Sequence, residues 1–191
     1  MTSSPRKKIY TKYGDEGSTS LLYGGRVSKN NVHTEAYGIT DEAVSAMGLA
    51  RALSDDPKVK EVLVRLQREL FIVGAELATD PERYEVFNRH FKPVTAEMVA
   101  GLEDLIDGLE AEAEMPNLFI LPGGSPASAA MDVARTIART AERRCVALKE
   151  QGGLTNPDIL HYMNRLGDLL FVLARYQDRE MPIERATGDQ V

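Results

Sequence analysis

The sequence predicts an all-α fold, an antiparallel bundle of five helices behind a loop-like N-terminal segment. Three observations lead there. From Thr34 onward, apolar side chains recur at three- and four-residue steps, the period of a helix with one buried stripe. Proline and glycine punctuate that pattern at Pro57, Pro81, Pro116, Pro126, Gly152-Gly153 and Pro157, which leaves long helices joined by short connections. Residues 1–31 show no sustained period, and no convincing strand appears anywhere.

Taken in order, a first helix is expected over residues 34–53, a run of small residues opened by Thr34 and Glu35. Pro57 opens the second, where Val59, Val62, Leu63, Leu66, Leu70, Val73 and Leu77 form one apolar stripe. The Asp80-Pro81 step ends it, and residues 80–93 read as a charged loop. Thr95 is a good N-cap for a third helix carrying Met98, Leu102, Leu105, Ile106 and Leu109. The fourth is expected over 127–149, closed by Gly152-Gly153, and the fifth over 157–177, with Leu160, Met163, Leu166, Leu170 and Leu173 buried. Residues 1–8 are then a disordered tail, 9–178 one helical domain and 179–191 a C-terminal tail.

Composition narrows the function classes. The chain has 191 residues, 43% hydrophobic and 27% charged, an ordinary globular balance for one domain with one core. A net charge of −6 argues against non-specific attraction to nucleic acid or an anionic membrane surface. No apolar run reaches the roughly 20 residues of a membrane span. The single cysteine, Cys145, excludes an intrachain disulfide, suits a reducing compartment such as the cytoplasm, and reads as a packed helix residue.

Polar residues on the helices carry more information. Arg135, Arg139 and Glu142 stand at i, i+4 and i+7 on one helix face, with Arg143 adding a cation. Asn164, Asp168 and Arg175 line another face, and Asp41 and Glu42 interrupt a small, apolar segment. Each set is open to two readings, a solvated salt-bridged face or part of a site. The segment Thr11-Lys12-Tyr13-Gly14-Asp15-Glu16-Gly17-Ser18-Thr19-Ser20 has the chemistry of a phosphate cradle: glycines, hydroxyls and a lysine, with Arg26 and Lys29 adding charge downstream. It matches neither a Walker loop nor a dinucleotide fingerprint, and by itself it reads better as a flexible tail. His33, His90 and His161 lack metal-ligand spacing, so no protein metal ligand is assigned.

The stretches IYTKYGDEGSTSL, RVSK, EAYGITDEAVSAMGLAR, LFIVGAELA, FILPGGSPASAAMDVARTIARTAERR and YMNRLGDLLFVLAR, in that order, resemble the motifs of the PduO-type ATP:cob(I)alamin adenosyltransferases. The likeness runs from Ile9 to about Arg175, nearly the whole chain. It implies a homotrimer with ATP and cobalamin bound between subunits, Mg²⁺ on the phosphates, and an N-terminal segment that acts as a nucleotide-binding loop. It also implies transfer of the 5′-deoxyadenosyl group of ATP to cob(I)alamin, served by a separate reductase and an adenosylcobalamin-dependent acceptor enzyme.

By position, the resemblance assigns the ATP site to Thr11, Lys12, Tyr13, Gly14, Thr19, Ser20 and Lys29, with Arg139, Thr140, Glu142, Arg143 and Asn164 from the helices. Asp41 and Arg135 match a pair that bridges neighbouring subunits, and Phe119 matches an aromatic that lines the cobalamin face and displaces its lower axial ligand. Departures exist. Arg139-Thr140 stands where the family usually has Arg-Arg, Tyr13 and Glu16 replace Thr and Lys, Ala43-Val44 replace Leu-Asn, and Gly167 replaces Ser. Three readings follow: an active adenosyltransferase, a catalytically weak paralogue that carries or senses ATP or cobalamin, and a structural bundle whose charges serve interfaces.

Overall fold

The computed structural model describes residues 8–186, so most of the expected N-terminal tail and residues 187–191 lie outside the described residues. The described chain is mostly helical, with six α-helices, one 3₁₀ turn and a two-stranded sheet. Two short strands, β1 (Ser18–Ser20) and β2 (Arg26–Ser28), pair antiparallel with Thr19 opposite Val27. They correct the expectation of no strand, because three residues are too few to reveal a two-residue alternation. The hairpin is moored by buried Leu21 and by Leu22, whose N–H donates to the Ala78 carbonyl at 2.7 Å.

The helices start where local chemistry satisfies their first N–H groups. α1 (Val32–Leu53) is capped by Asn31, whose side chain accepts from the His33 N–H at 2.9 Å, two residues earlier than the expected start. α2 (Pro57–Leu77) begins behind Asp56. The expected loop over 80–93 is instead a 3₁₀ turn (Pro81–Arg83) and a helix α3 (Tyr84–His90). Buried Phe87 anchors α3, stacked between Tyr84 and Phe91. One buried ring in a charged stretch leaves almost no periodic signal. α4 (Ala96–Glu110) follows its Thr95 cap, α5 (Pro126–Glu150) a Ser125–Ser128 capping box, and α6 (Asp158–Gln177) ends the set.

Contacts between helix ends establish directions. Ser54 after α1 bonds Gln177 at the end of α6 at 2.6 Å, so these two run parallel. Asp56 before α2 pairs with Arg179 beyond α6 at 3.0 Å, and the Ser125 N–H before α5 donates to Asp178 at 3.1 Å, so α2 and α5 run the other way. Arg165–Glu103 and Tyr176–Glu112 contacts advance in step, so α4 parallels α6. Direction therefore alternates along the five long helices.

The α1–α5 interface is the most extensive, and it is built from small side chains: Ala36, Ala43 and Ala50 against Ala134, Ala138, Ala141 and Cys145. α6 packs along α5, and α4 along α6, with Leu63, Leu66, Leu70, Leu102, Leu166 and Leu170 filling the middle. The expected C-terminal tail is only partly one: residues 184–186 run back along 119–121, with the Leu121 N–H on the Glu184 carbonyl and the Ala186 N–H on the Phe119 carbonyl, both at 2.9 Å.

A buried carboxylate ties one end of the helices together. Glu76, 5% exposed, accepts from the Tyr84 hydroxyl, the Val94 N–H at 2.9 Å and the Asn156 amide at 2.8 Å. Burial, then the Glu76 charge, pushes the Tyr84 phenol well above its ordinary range. Glu76→Ala strands these donors and is expected to cost about 2–4 kcal/mol in urea unfolding, against a much smaller shift for exposed Glu112→Ala. At the opposite end, burial alone would raise the Asp56 carboxyl, but hydrogen bonds from the Val59 and Lys58 N–H groups and from Arg179 hold it below 3.8. A depressed folded value contributes stability above the unfolded value and loses it as pH falls. Asp56→Asn is therefore expected to flatten the loss of stability below about pH 4, measured as unfolding midpoint against pH.

Candidate functional site

The N-terminal loop is ordered by its own backbone. The Asp15 N–H donates to the Lys12 carbonyl at 3.3 Å and the Gly17 N–H to the Gly14 carbonyl at 3.2 Å. Lys12 and Gly17 take left-handed conformations, φ 64° and 76°, a geometry glycine adopts freely and lysine does not. The Lys29 N–H closes the hairpin on the Gly17 carbonyl at 2.9 Å. Its amine then lies over Gly14, where an added Cβ would stand 3.0 Å from Nζ, so the missing side chain is what admits the cation. The Thr11 hydroxyl accepts from the Tyr13 N–H at 3.5 Å, Thr19 is half-buried and Ser20 exposed, and the Tyr13 ring is 78% exposed. Lys29 thus lies against the Gly14 turn, whose Tyr13, Asp15 and Gly17 N–H groups are bonded within the loop, and left-handed Lys12 opens that turn.

A second group stands on α4, α5 and α6. Asn164 donates to Glu142 across the α5–α6 seam at 3.0 Å. Arg135 and Arg139 line a cavity of about 670 Å³ with Phe171 and Asp168, facing Glu103, Asp107 and Glu110 of α4. The Arg139 stem crosses α6 above buried Gly167, where an added Cβ would be 3.6 Å from Cγ. Arg165 bridges Glu103 and Asp168, both at 2.9 Å. Thr140 donates to the Thr136 carbonyl at 3.1 Å and accepts from Arg143 at 2.8 Å, so the residue in place of a second arginine orients the next one.

The remaining residues lie apart. Asp41 is exposed on α1, lining a groove of about 380 Å³ beside Tyr37, Phe71 and Gly74. Phe119 is 85% exposed on the loop before α5, where Leu118 and Leu121 are exposed as well. Arg135 is held by its own chain's Asp132 at 3.3 Å, so within one chain it does not meet Asp41. Nor does any hydrogen bond or ion pair among the described residues join the Lys12–Lys29 loop to the Arg139–Asn164 group.

Sequence reasoning missed Asp132. It is 6% exposed and pairs at 2.5 Å with Arg175, equally buried, while also holding Arg135. Its i,i+3 spacing to Arg135 was the available signal. Arg26, counted as added charge, instead donates to the Tyr13 carbonyl at 2.6 Å.

The family model for cobalamin adenosyltransferases matches residues 9–177. The chain belongs to that family. The corrinoid adenosyltransferase of Bacillus subtilis is 44% identical over 172 residues, 88% of this chain and 85% of that protein. The corrinoid adenosyltransferase PduO of Salmonella typhimurium is 40% identical over 172 residues, 90% of this chain, which spans 50% of that longer protein. Among solved structures, a variant PduO-type ATP:corrinoid adenosyltransferase from Lactobacillus reuteri, complexed with cobalamin and ATP, superposes with a TM-score of 0.86 at 34% identity, covering 96% of this chain and 98% of that one. The resemblance read from the ordered motifs is borne out.

Family membership makes the chemistry of each departure worth locating. Val44 and Ala43 are buried apolar residues, and the Val44 carbonyl accepts from Gln67 at 3.0 Å. Glu16 is exposed on the loop surface. Cys145 is buried in the α1–α5 seam, and burial, then the Glu142 charge, pushes its thiol up to about 12. The native protein is accordingly expected to resist a thiol reagent at pH 8 over a period in which urea-unfolded protein labels completely; equal rates would show that the α1–α5 seam opens readily.

Proposed function

We propose that the chain transfers the 5′-deoxyadenosyl group of ATP to cob(I)alamin, forming adenosylcobalamin and releasing triphosphate. The observation that carries this reading is the row Arg135, Arg139 and Arg143 beside the Glu142–Asn164 hydrogen bond, in a chain of the cobalamin adenosyltransferase family. The Bacillus subtilis relative is named for corrinoid adenosyl transfer, and the Lactobacillus reuteri structure holds cobalamin and ATP.

In this reaction the cobalt supplies the electron pair. A cobalt–carbon bond forms at the 5′ carbon while the carbon–oxygen bond to phosphate breaks, and its electrons leave with triphosphate. The protein need supply neither nucleophile nor base, only alignment and positive charge where the leaving group gains negative charge. Arg139 is assigned to that charge. Lys12 and Lys29 hold phosphates, with donors from Thr11, Tyr13, Gly14, Thr19 and Ser20; Glu142 and Asn164 orient the nucleotide with Thr140-ordered Arg143. Among the described residues no group of three or more His, Cys, Asp or Glu is placed to hold a metal ion. Mg²⁺ bound with ATP would share the negative charge of the phosphates.

One chain holds two half-sites on separate faces, and a homotrimer unites the loop of one subunit with the arginine row of the next. In that assembly Asp41 reaches the neighbour's Arg135, and the helices act as the five-helix bundle expected from the sequence. Exposed Phe119 and its apolar neighbours face the corrin ring and displace its lower axial ligand. No helix among the described residues is long and apolar enough to cross a membrane. We place the enzyme in the cytoplasm, between a reductase that makes cob(I)alamin and an acceptor enzyme that uses the product.

Incubation with chemically reduced cob(I)alamin, ATP and Mg²⁺ under anaerobic conditions, followed by absorbance, tests the reading. Repeated ATP-dependent turnover is expected; binding of ATP or cobalamin without turnover would leave the carrier or sensor. Arg139→Ala is expected to lower turnover by roughly 10²-fold with the assembly mass unchanged by light scattering. Unaltered turnover removes Arg139 from the mechanism.

A further inference from the structure

The structure assigns Arg26 a role as the positioning residue of the N-terminal loop: it sets the loop's shape for an anion without itself being the cation that binds one. This rests on the reading of that loop as the triphosphate site. A terminal nitrogen of Arg26 donates to the Tyr13 carbonyl at 2.6 Å and is shared between the carbonyl of Ser18, at 3.3 Å, and the Ser18 hydroxyl. Its side chain therefore reaches from β2 to both ends of the glycine-containing turn, residues 13 and 18, and closes it.

The consequence follows from peptide geometry. In a trans peptide the C=O and the next N–H point in opposite directions, and no cis bond occurs among the described residues. Drawing the Tyr13 carbonyl onto Arg26 turns the Gly14 N–H away from it. The Gly14 side of that peptide is where the Lys29 amine lies, 3.0 Å from the position a Cβ would take. One guanidinium thus turns a backbone donor out of the clamp at Gly14, the residue against which a lysine amine lies, a pairing suited to an anion. It also holds the turn in which Lys12 sits at φ 64°, a conformation that persists in a non-glycine residue only when surrounding contacts over-determine it. Lys12 and Lys29 are left as the cations for phosphate, and Arg26 binds the chain's own carbonyls.

The test uses the full-length protein and two variants, Arg26→Ala and Arg26→Lys. Lysine keeps the charge but is one atom shorter and lacks the planar fork. Amide exchange without ATP reports the clamp: Asp15 and Gly17, whose N–H groups bond Lys12 and Gly14, are expected to exchange at least about fivefold faster in both variants. Steady-state turnover with reduced cob(I)alamin reports the consequence: KM for ATP is expected to rise about tenfold in both, with kcat within about threefold. If Arg26→Lys restores the wild-type KM while Arg26→Ala does not, Arg26 acts as a phosphate cation and the assignment is overturned. Unchanged exchange in Arg26→Ala overturns it as well. Faster exchange with an unchanged KM also overturns the positioning role, and places the failure in the ATP reading of the loop, since the clamp itself would have been demonstrated.

Discussion

The close approach of α1 to α5 is the constraint on which the rest of the molecule depends. Buried alanines line both helices there, with Met47 of α1 and Cys145 of α5 fully buried among them. Small side chains contribute little transfer energy each, yet they let two helix backbones approach and bury their length continuously. With one face of α5 committed to α1 and a second to α6, the remaining edge is left to present Arg135, Arg139 and Arg143 outward. The arginine row is displayed because the alanine row is buried.

Electrostatics are organised against the net charge. The protein carries −6 overall, and Arg135 and Arg139 of α5 share their cavity with Glu103, Asp107, Glu110 and Asp168. Acidic residues do not simply cancel them. Buried Asp132 bonds Arg175 and Arg135 together, fixing guanidinium positions at the α5–α6 seam, while Arg165 is neutralised by Glu103 and Asp168. A buried pair of this kind costs desolvation and returns orientation, here of the Arg135 and Arg175 side chains. Among the described residues Arg139 forms no such bridge, and it stands over Gly167 in the lining of the cavity.

The mooring of the N-terminal segment follows the same economy. A loop with few apolar side chains gains little from burial, so its order comes from Leu21, the Leu22 contacts with the end of α2, and the hairpin ladder. Those contacts attach it to the end of α2, just ahead of α1.

The sequence by itself determined the helical class, the apolar stripes, the caps at Thr95 and the breaks at proline and glycine, because these are local effects of period and backbone chemistry. The ordered motifs were enough to place the chain in its family, and the one-face spacing of Arg135, Arg139 and Glu142 was legible because a helix converts spacing directly into direction. The hairpin and α3 were not legible, since three-residue strands and a helix anchored on Phe87 are stabilised by what they touch. Asp132 and Glu76 stood out in no local pattern, because their partners, Arg175 in one case and Tyr84 and Asn156 in the other, come from other segments of the chain. Arg26 likewise read as charge until the turn placed two carbonyls within its reach. Only tertiary structure decides such roles, because a hydrogen bond depends on distance and direction between groups whose positions no local pattern encodes.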